Sequence, residues 1–308
     1  MTGKTPPILR AKHHKSASVF SPDNLLREAR RQKNLPENPI PDVCILDPDG
    51  DIVRHLRSAG RAEPVEGWAC YHSEMVRFTH DGRDYGIVGC AVGASYAVLL
   101  AEQMFVSGCR LLLSVTSSGQ IKRLREPPYF ILIERALRDE GTSYHYLPAD
   151  KDYAEADPAL VAVVTPALAR SSTPVERGAS WTTDAPYRET PEAIDAARAE
   201  GILAVEMEAA ALYSFAEARK KPVLCFAHVT NQMGQAGDFE KGEANGAIDR
   251  IDPCRRRLLV AVAIEHLIAA LAAPVLGRGS RWLPAVTAST LAGGLPEHKF
   301  MIMISYDL

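Results

Sequence analysis

The chain lacks several features that would settle its class quickly, and each absence removes an option. None of its six cysteines forms a C-x-x-C pair. Cys44, Cys70, Cys90, Cys109, Cys225 and Cys254 are scattered, several of them within apolar strand-like runs. Free buried thiols in a reducing compartment fit that spacing better than disulfides or a metal site. Nor is there an excess of one charge: 35 Lys+Arg stand against 38 Asp+Glu, a formal net charge of -3. Neither a nucleic acid nor a membrane surface is expected as a partner. The most apolar stretch, residues 258–276, is broken by Glu265 and His266 and ends near Pro274. It is too interrupted to span a bilayer. The N-terminus is polar, with no following apolar block, unlike a secretory leader. A soluble, cytoplasmic protein with no cofactor and no metal is the expectation.

What is present is ample core in an alternating pattern. With 308 residues, 46% of them hydrophobic, the chain can build one large α/β domain or two small ones. Residues 1–40 read as a polar arm with one short helix, capped by Ser21 with Pro22 at its first position. Strands are expected at 43–46, 85–92, 111–115, 203–206 and 223–229. Helices are expected at 96–106, 128–140, 158–170, 192–200, 207–219 and about 255–272. Such alternation predicts a largely parallel or mixed sheet with helices on both sides, filling residues 41–276. Residues 277–308 mix Gly, Ser and Thr with a final apolar run, and are set apart as an extension of unknown role.

In α/β sheets, ligands gather at the carboxyl ends of strands. Five such places carry suitable residues here: Asp47-Pro48-Asp49-Gly50, Gly93-Ala94-Ser95, Thr116-Ser117-Ser118-Gly119, Glu206-Met207-Glu208 and Thr230-Asn231-Gln232. The fourth is the most informative. An apolar run ends in two carboxylates one residue apart, and an Ala-rich helix begins at once. A carboxylate at such a turn can accept two hydrogen bonds side by side, as the vicinal hydroxyls of a sugar would offer. An acidic helix start complementing the macrodipole is the plainer alternative. Ser117, Ser118 and Gly119 supply hydroxyls and close N–H groups suited to an oxyanion or a sugar, or form a plain polar turn. Trp181 closes an extended run after Gly178. It can stack on a flat base, or it can be a core tryptophan. Asp184 and Thr190 read as turn and helix-cap residues.

Taken together, these segments resemble the nucleoside phosphorylase family, which includes uridine phosphorylase, hexameric purine nucleoside phosphorylase and methylthioadenosine nucleosidase. The matching segments fall in family order over about residues 40–272: the Asp47-Pro48 turn, Gly93-Ala94-Ser95, Ser117-Ser118-Gly119, the Trp181 segment, Glu206-Met207-Glu208 and Val229-Thr230-Asn231. The resemblance implies a three-layer α/β/α fold around a mixed, distorted sheet. It implies cleavage of the N-glycosidic bond of a ribonucleoside, with phosphate as co-substrate, in nucleoside salvage or catabolism. It also implies a homo-oligomer. By the same resemblance Glu208 holds the ribose 2′- and 3′-hydroxyls, Met207 packs beneath the sugar, and Trp181 stacks on the base. Ser117, with Ser118, Gly119, Gly93 and Glu206, lines the site, while Asn231 faces the leaving base. Uridine phosphorylases carry Asn in that strand where the purine branch has Asp, so a uridine-like substrate is favoured.

The chain also departs from the family. Phosphorolytic members place arginines at positions that match Gly50, Tyr71 and Ser114 here. Arginine suits phosphate through its bidentate fork. Either Arg54, Arg57, Lys122 or Arg123 substitutes, or water is the nucleophile, with Asp49 or Asp51 as general base. A phosphorylase, a hydrolytic nucleosidase and a non-catalytic nucleoside-binding protein are therefore the three readings, in that order. His72 carries little weight as a site residue.

Overall fold

The computed structural model describes residues 5–126, 129–169, 174–232, 271–272 and 274–276, with residues 230–232 in backbone only. The expected helix at 255–272 (except its last two residues) and the extension at 277–308 lie outside the described residues, as does Cys254.

Among the described residues, ten strands form one sheet: β1 Val43–Asp47, β2 Glu63–Pro64, β3 Val76–His80, β4 Arg83–Gly89, β5 Leu111–Gln120, β6 Tyr129–Asp139, β7 Tyr153–Glu155, β8 Val175–Thr183, β9 Ala204–Glu206 and β10 Val223–Gln232. The main helices are α1 Pro22–Lys33, α2 Asp51–Ser58, α3 Ala94–Val106, α4 Pro158–Leu168, α5 Pro191–Ala199 and α6 Ala209–Arg219. β1 pairs in parallel with β4 and β5, and β5 with β10. The β1-to-β4 connection carries α2 one way along the sheet, and the β4-to-β5 connection carries α3 the other way. Right-handed crossovers then put α2 and α3 on opposite faces, giving the three-layer α/β/α arrangement.

The distorted half of the sheet has a definite cause. β5 pairs with β10, β10 antiparallel with β6, β6 with β8, β8 with β9, and β9 antiparallel with the end of β5. These pairings close a ring. β5 must therefore run on past its expected end at Val115, and Thr116 to Gln120 are strand rather than turn. The second difference is β6, where the sequence pattern predicts a helix. Tyr129 to Ile133 are all buried between β10 and β8. An apolar run covered on both faces has no period-2 signature, and the following Glu-Arg-Ala-Leu-Arg mimics a helix.

The core is aliphatic and aromatic along β1, β4, β5, β6 and β10, against α3 and α6. Cys44, Cys70, Cys109 and Cys225 are buried free thiols, whereas Cys90 is exposed. Among the described residues, no helix is long and apolar enough to cross a membrane.

Register shifts between Ile133 and Arg135 on β6 leave a gap in the ladder, and α6 fills it. The buried Tyr213 hydroxyl donates to the Ile133 carbonyl at 2.6 Å and accepts the Cys225 N–H at 2.9 Å. Tyr213→Phe leaves both backbone groups unpaired in the core. It is expected to lower unfolding stability by about 1–3 kcal/mol, read as an earlier denaturant midpoint. An unchanged midpoint would contradict this role.

Candidate active site

The site grows from the start of α6. β9 brings Glu206 to the helix N-terminus, where four orphan N–H groups need acceptors. One Glu206 oxygen accepts the N–H groups of Glu208 and Ala209, both at 2.7 Å. The other accepts the hydroxyls of Ser180 and Thr182 from β8. The Thr182 hydroxyl in turn accepts the Ala210 N–H at 3.0 Å. Glu206 is thus consumed by the protein itself. The sequence reading placed it among the substrate-binding groups, but its observed work is to cap α6 and hold the turn.

Because Glu206 caps the helix, Glu208 does not have to. Glu208 sits at the N-cap with no side-chain bond to its own helix. One carboxylate oxygen accepts the Gly93 N–H at 2.7 Å. Gly93 has φ +93°, a conformation open mainly to glycine, and it aims that N–H across from the start of α3. The other oxygen, Oε2, is buried and has no hydrogen-bond partner. Thr116 stands beside it, but its hydroxyl turns to the Ser117 carbonyl at 3.2 Å. A buried carboxylate oxygen without a donor is costly unless a ligand completes it. Burial and the neighbouring Glu206 push the Glu208 carboxyl up to about 8. Burial also raises Glu206, against its four hydrogen bonds.

The turn after β1 comes near enough for Asp49 to act on the Glu208 carboxyl. Asp47 ends β1 and is buried. Its oxygens accept the Gly50 and Val53 N–H groups at 3.1 and 3.0 Å, and burial raises its carboxyl to about 7. Asp49 points the other way. It accepts the Ser117 N–H and the Ser117 hydroxyl, each at 2.8 Å. Both oxygens are engaged, so the arrangement does not present Asp49 as a free general base. Asp51 is solvent-facing and paired with Arg54 at 2.6 Å, so as a general base it too is displaced from the site. Ser118 has a buried hydroxyl with no partner. Gly119 lies in register with Val205 on β9 and Asn231 on β10. Asn231's side chain lies outside the described residues. Met207 is half-buried between the two glutamates.

Of the four proposed phosphate substitutes, the three arginines are engaged elsewhere, and Lys122 is exposed. Arg54 binds Asp51 and the Asp49 carbonyl, Arg57 binds Glu74, and Arg123 binds Glu126. Gly50 itself cannot carry a side chain cheaply: its φ is +72°, and a Cβ would meet Cys90 Sγ at 2.7 Å. Tyr71 bonds Gln32 from a surface position.

Trp181 corrects the sequence reading. Ser180 and Thr182 point to Glu206, so strand alternation sends Trp181 to the far face of β8. There it packs with Ile121, Ile194, Ile202 and Val205, and its indole N–H donates to Asp139 at 2.9 Å. It borders a cavity shared with Asp139, Tyr144, Asp184 and Arg188, whose lining does not include Glu208.

Sequence reasoning missed three residues here. Ser180 and Thr182 hold Glu206, and their i, i+2 spacing on one strand face was the available signal. His228 interrupts an apolar strand and lies in register with Ser117. It stacks on Phe130 at 4.9 Å, and burial lowers its pKa to about 4 against the pull of Asp49.

Comparison with known proteins bears on this geometry. Residues 42–261 match the model of the phosphorylase superfamily, and the chain belongs to that superfamily. It is similar to guanosine phosphorylase of Halorubrum lacusprofundi, at 29% identity over 201 residues, covering 61% of this chain and 80% of that protein. Its fold resembles uridine phosphorylase from Vibrio fischeri. One structure gives a TM-score of 0.62 at 17% identity over 79% of this chain and 95% of that one. A second, complexed with 6-hydroxy-1-naphthoic acid, gives 0.59 at 18% identity over 80% and 93%.

Two outcomes follow. The Glu208 proton is held in the folded chain and absent from the unfolded chain between about pH 4.5 and 8. Its stabilising contribution is complete below that window and is lost as pH rises through it. Glu208→Gln removes this dependence. Wild-type stability should fall relative to the variant by up to about 1.4 kcal/mol per pH unit between pH 5 and 8; parallel pH curves would contradict it. Trp181→Phe should lower the melting temperature while leaving nucleoside KM unchanged. A several-fold rise in KM would return Trp181 to the substrate.

Proposed function

We propose that this member of the phosphorylase superfamily cleaves the N-glycosidic bond of a ribonucleoside with inorganic phosphate. A phosphate oxygen bonds to C1′, the C1′–N bond breaks, and its electron pair leaves on the base, which gains a proton. The observation that carries this reading is the unpartnered buried oxygen of Glu208. A ribose 2′- or 3′-hydroxyl donating to Oε2, with its neighbour donating beside Gly93, completes the carboxylate. Those donors favour its ionised form. As the bond breaks, positive charge develops on the sugar, and a fixed buried anion stabilises that charge without reorganising. Ser118, with its free hydroxyl, and Met207 complete the sugar subsite. Asn231, in register with Gly119, is assigned to the leaving base as a hydrogen-bond donor.

The base has support in two directions. Asparagine at 231 favours a uridine-like substrate, whereas the curated relative at 29% identity is a guanosine phosphorylase. Both bases belong in the assay. Hydrolysis is the second reading, favoured by the glycine, tyrosine and serine at positions 50, 71 and 114. The engagement of both Asp49 oxygens weighs against it. A homo-oligomer in the cytoplasm remains part of the reading; exposed Leu99 and Val106 on α3, with Val92 just before the helix, offer apolar surface for such an assembly, which sedimentation reads directly.

The test is release of base and sugar from uridine and guanosine, with and without phosphate. Ribose 1-phosphate formed only with phosphate is the expected product. Free ribose in phosphate-free buffer would move the assignment to hydrolysis, and no turnover with any nucleoside would remove the enzyme reading. Glu208→Ala should lower kcat/KM by at least 100-fold, given about 1.5–3 kcal/mol for each charged hydrogen bond lost, while the variant keeps a cooperative melt. Unaltered turnover would remove the ribose role.

A further inference from the structure

The Ser117 N–H and hydroxyl form a two-donor fork. Such a pair of donors, converging from one residue of β5, suits an oxyanion. Here the fork is already filled. Both oxygens of Asp49, 68 residues away in sequence, accept from it at 2.8 Å each. The match is bidentate, one oxygen per donor, as one phosphate would make. Asp49 is brought there by the turn after β1, which Asp47 pins through Gly50 and Val53. Arg54 ties the same turn down through the Asp49 carbonyl and the Asp51 carboxylate, both at 2.6 Å.

We infer that Asp49 is the specificity-determining residue for the nucleophile: its carboxylate holds the oxyanion position on Ser117 and competes there with phosphate. Phosphate binds only when Asp49 leaves the fork. The affinity for phosphate is thereby set low, and the nucleoside subsite at Glu208 is untouched. This inference rests on the proposed phosphorolysis, but the occupancy of the fork can be measured without turnover.

The experiment is a thermal melt of the full chain titrated with inorganic phosphate, for wild type, Asp49→Ala and Asp49→Asn. Asp49→Asn retains the shape of the side chain should the alanine variant fail to fold. Two controls accompany them: Asp49→Ala combined with Ser117→Ala, and Asp51→Asn, which removes an equal charge from a neighbouring exposed position. The half-saturating phosphate concentration should fall at least tenfold on loss of the Asp49 carboxylate. The gain should vanish in the double variant, and Asp51→Asn should reproduce only a minor part of it. In turnover, KM for phosphate should fall while KM for the nucleoside holds. Equal half-saturation in wild type and in a folded Asp49 variant would overturn the inference, as would an equal gain from Asp51→Asn. If instead the melts respond as expected but no base is released with phosphate, the reaction assignment fails and the occupied fork stands.

Discussion

The site depends on one division of labour between two glutamates. Glu206 satisfies the first N–H groups of α6 and is itself satisfied by Ser180 and Thr182. Without that capping, Glu208 would be the natural side chain to fold back on its own helix. With it, Glu208 faces away, pinned through a single bond from Gly93. The ring of strands β5, β10, β6, β8 and β9 exists in the same service. It sets β8 beside β9 so that two hydroxyls meet Glu206, and it pairs the end of β5 with β9 through Gly119 and Gln120. A carboxylate poised with one oxygen unmet is costly to the fold unless a donor reaches it, and that cost is the ground of the proposed ribose contact.

The electrostatics of the site follow from burial. Asp49 acts electrostatically on both Asp47 and Glu208, Glu206 acts on Glu208, and burial raises Asp47, Glu206 and Glu208 above the ordinary carboxylate range. Such a site favours a reaction in which positive charge develops on the substrate. It disfavours a free phosphate dianion unless a cation compensates, and the arginines near in sequence are engaged with Asp51, Glu74 and Glu126. The observed fork between Asp49 and Ser117 expresses that tension locally.

How much of this was legible in the sequence depended on range. The glutamate pair is a local signal: a strand, two carboxylates and an Ala-rich helix lie within a dozen residues, so their roles at one turn were readable. The split of those roles was not, because the groups that engage Glu206 come from β8, more than twenty residues away. β6 misled for a physical reason: a strand buried on both faces carries no alternation. Trp181 misled because its face of β8 is fixed by the register with β9, which no single segment encodes. The union of Asp49 with Ser117 joins the turn after β1 to β5, so it too waits on topology. The superfamily match to residues 42–261 agrees with the order of motifs rather than with any one of them.

A structure of the protein with a bound ribonucleoside tests the central claim most directly. The account predicts the 2′- and 3′-hydroxyls within hydrogen-bond distance of the Glu208 carboxylate, with Oε2 no longer unpartnered and the Gly93 N–H bond kept. A nucleoside bound elsewhere, or bound with Glu208 Oε2 still alone, would contradict it.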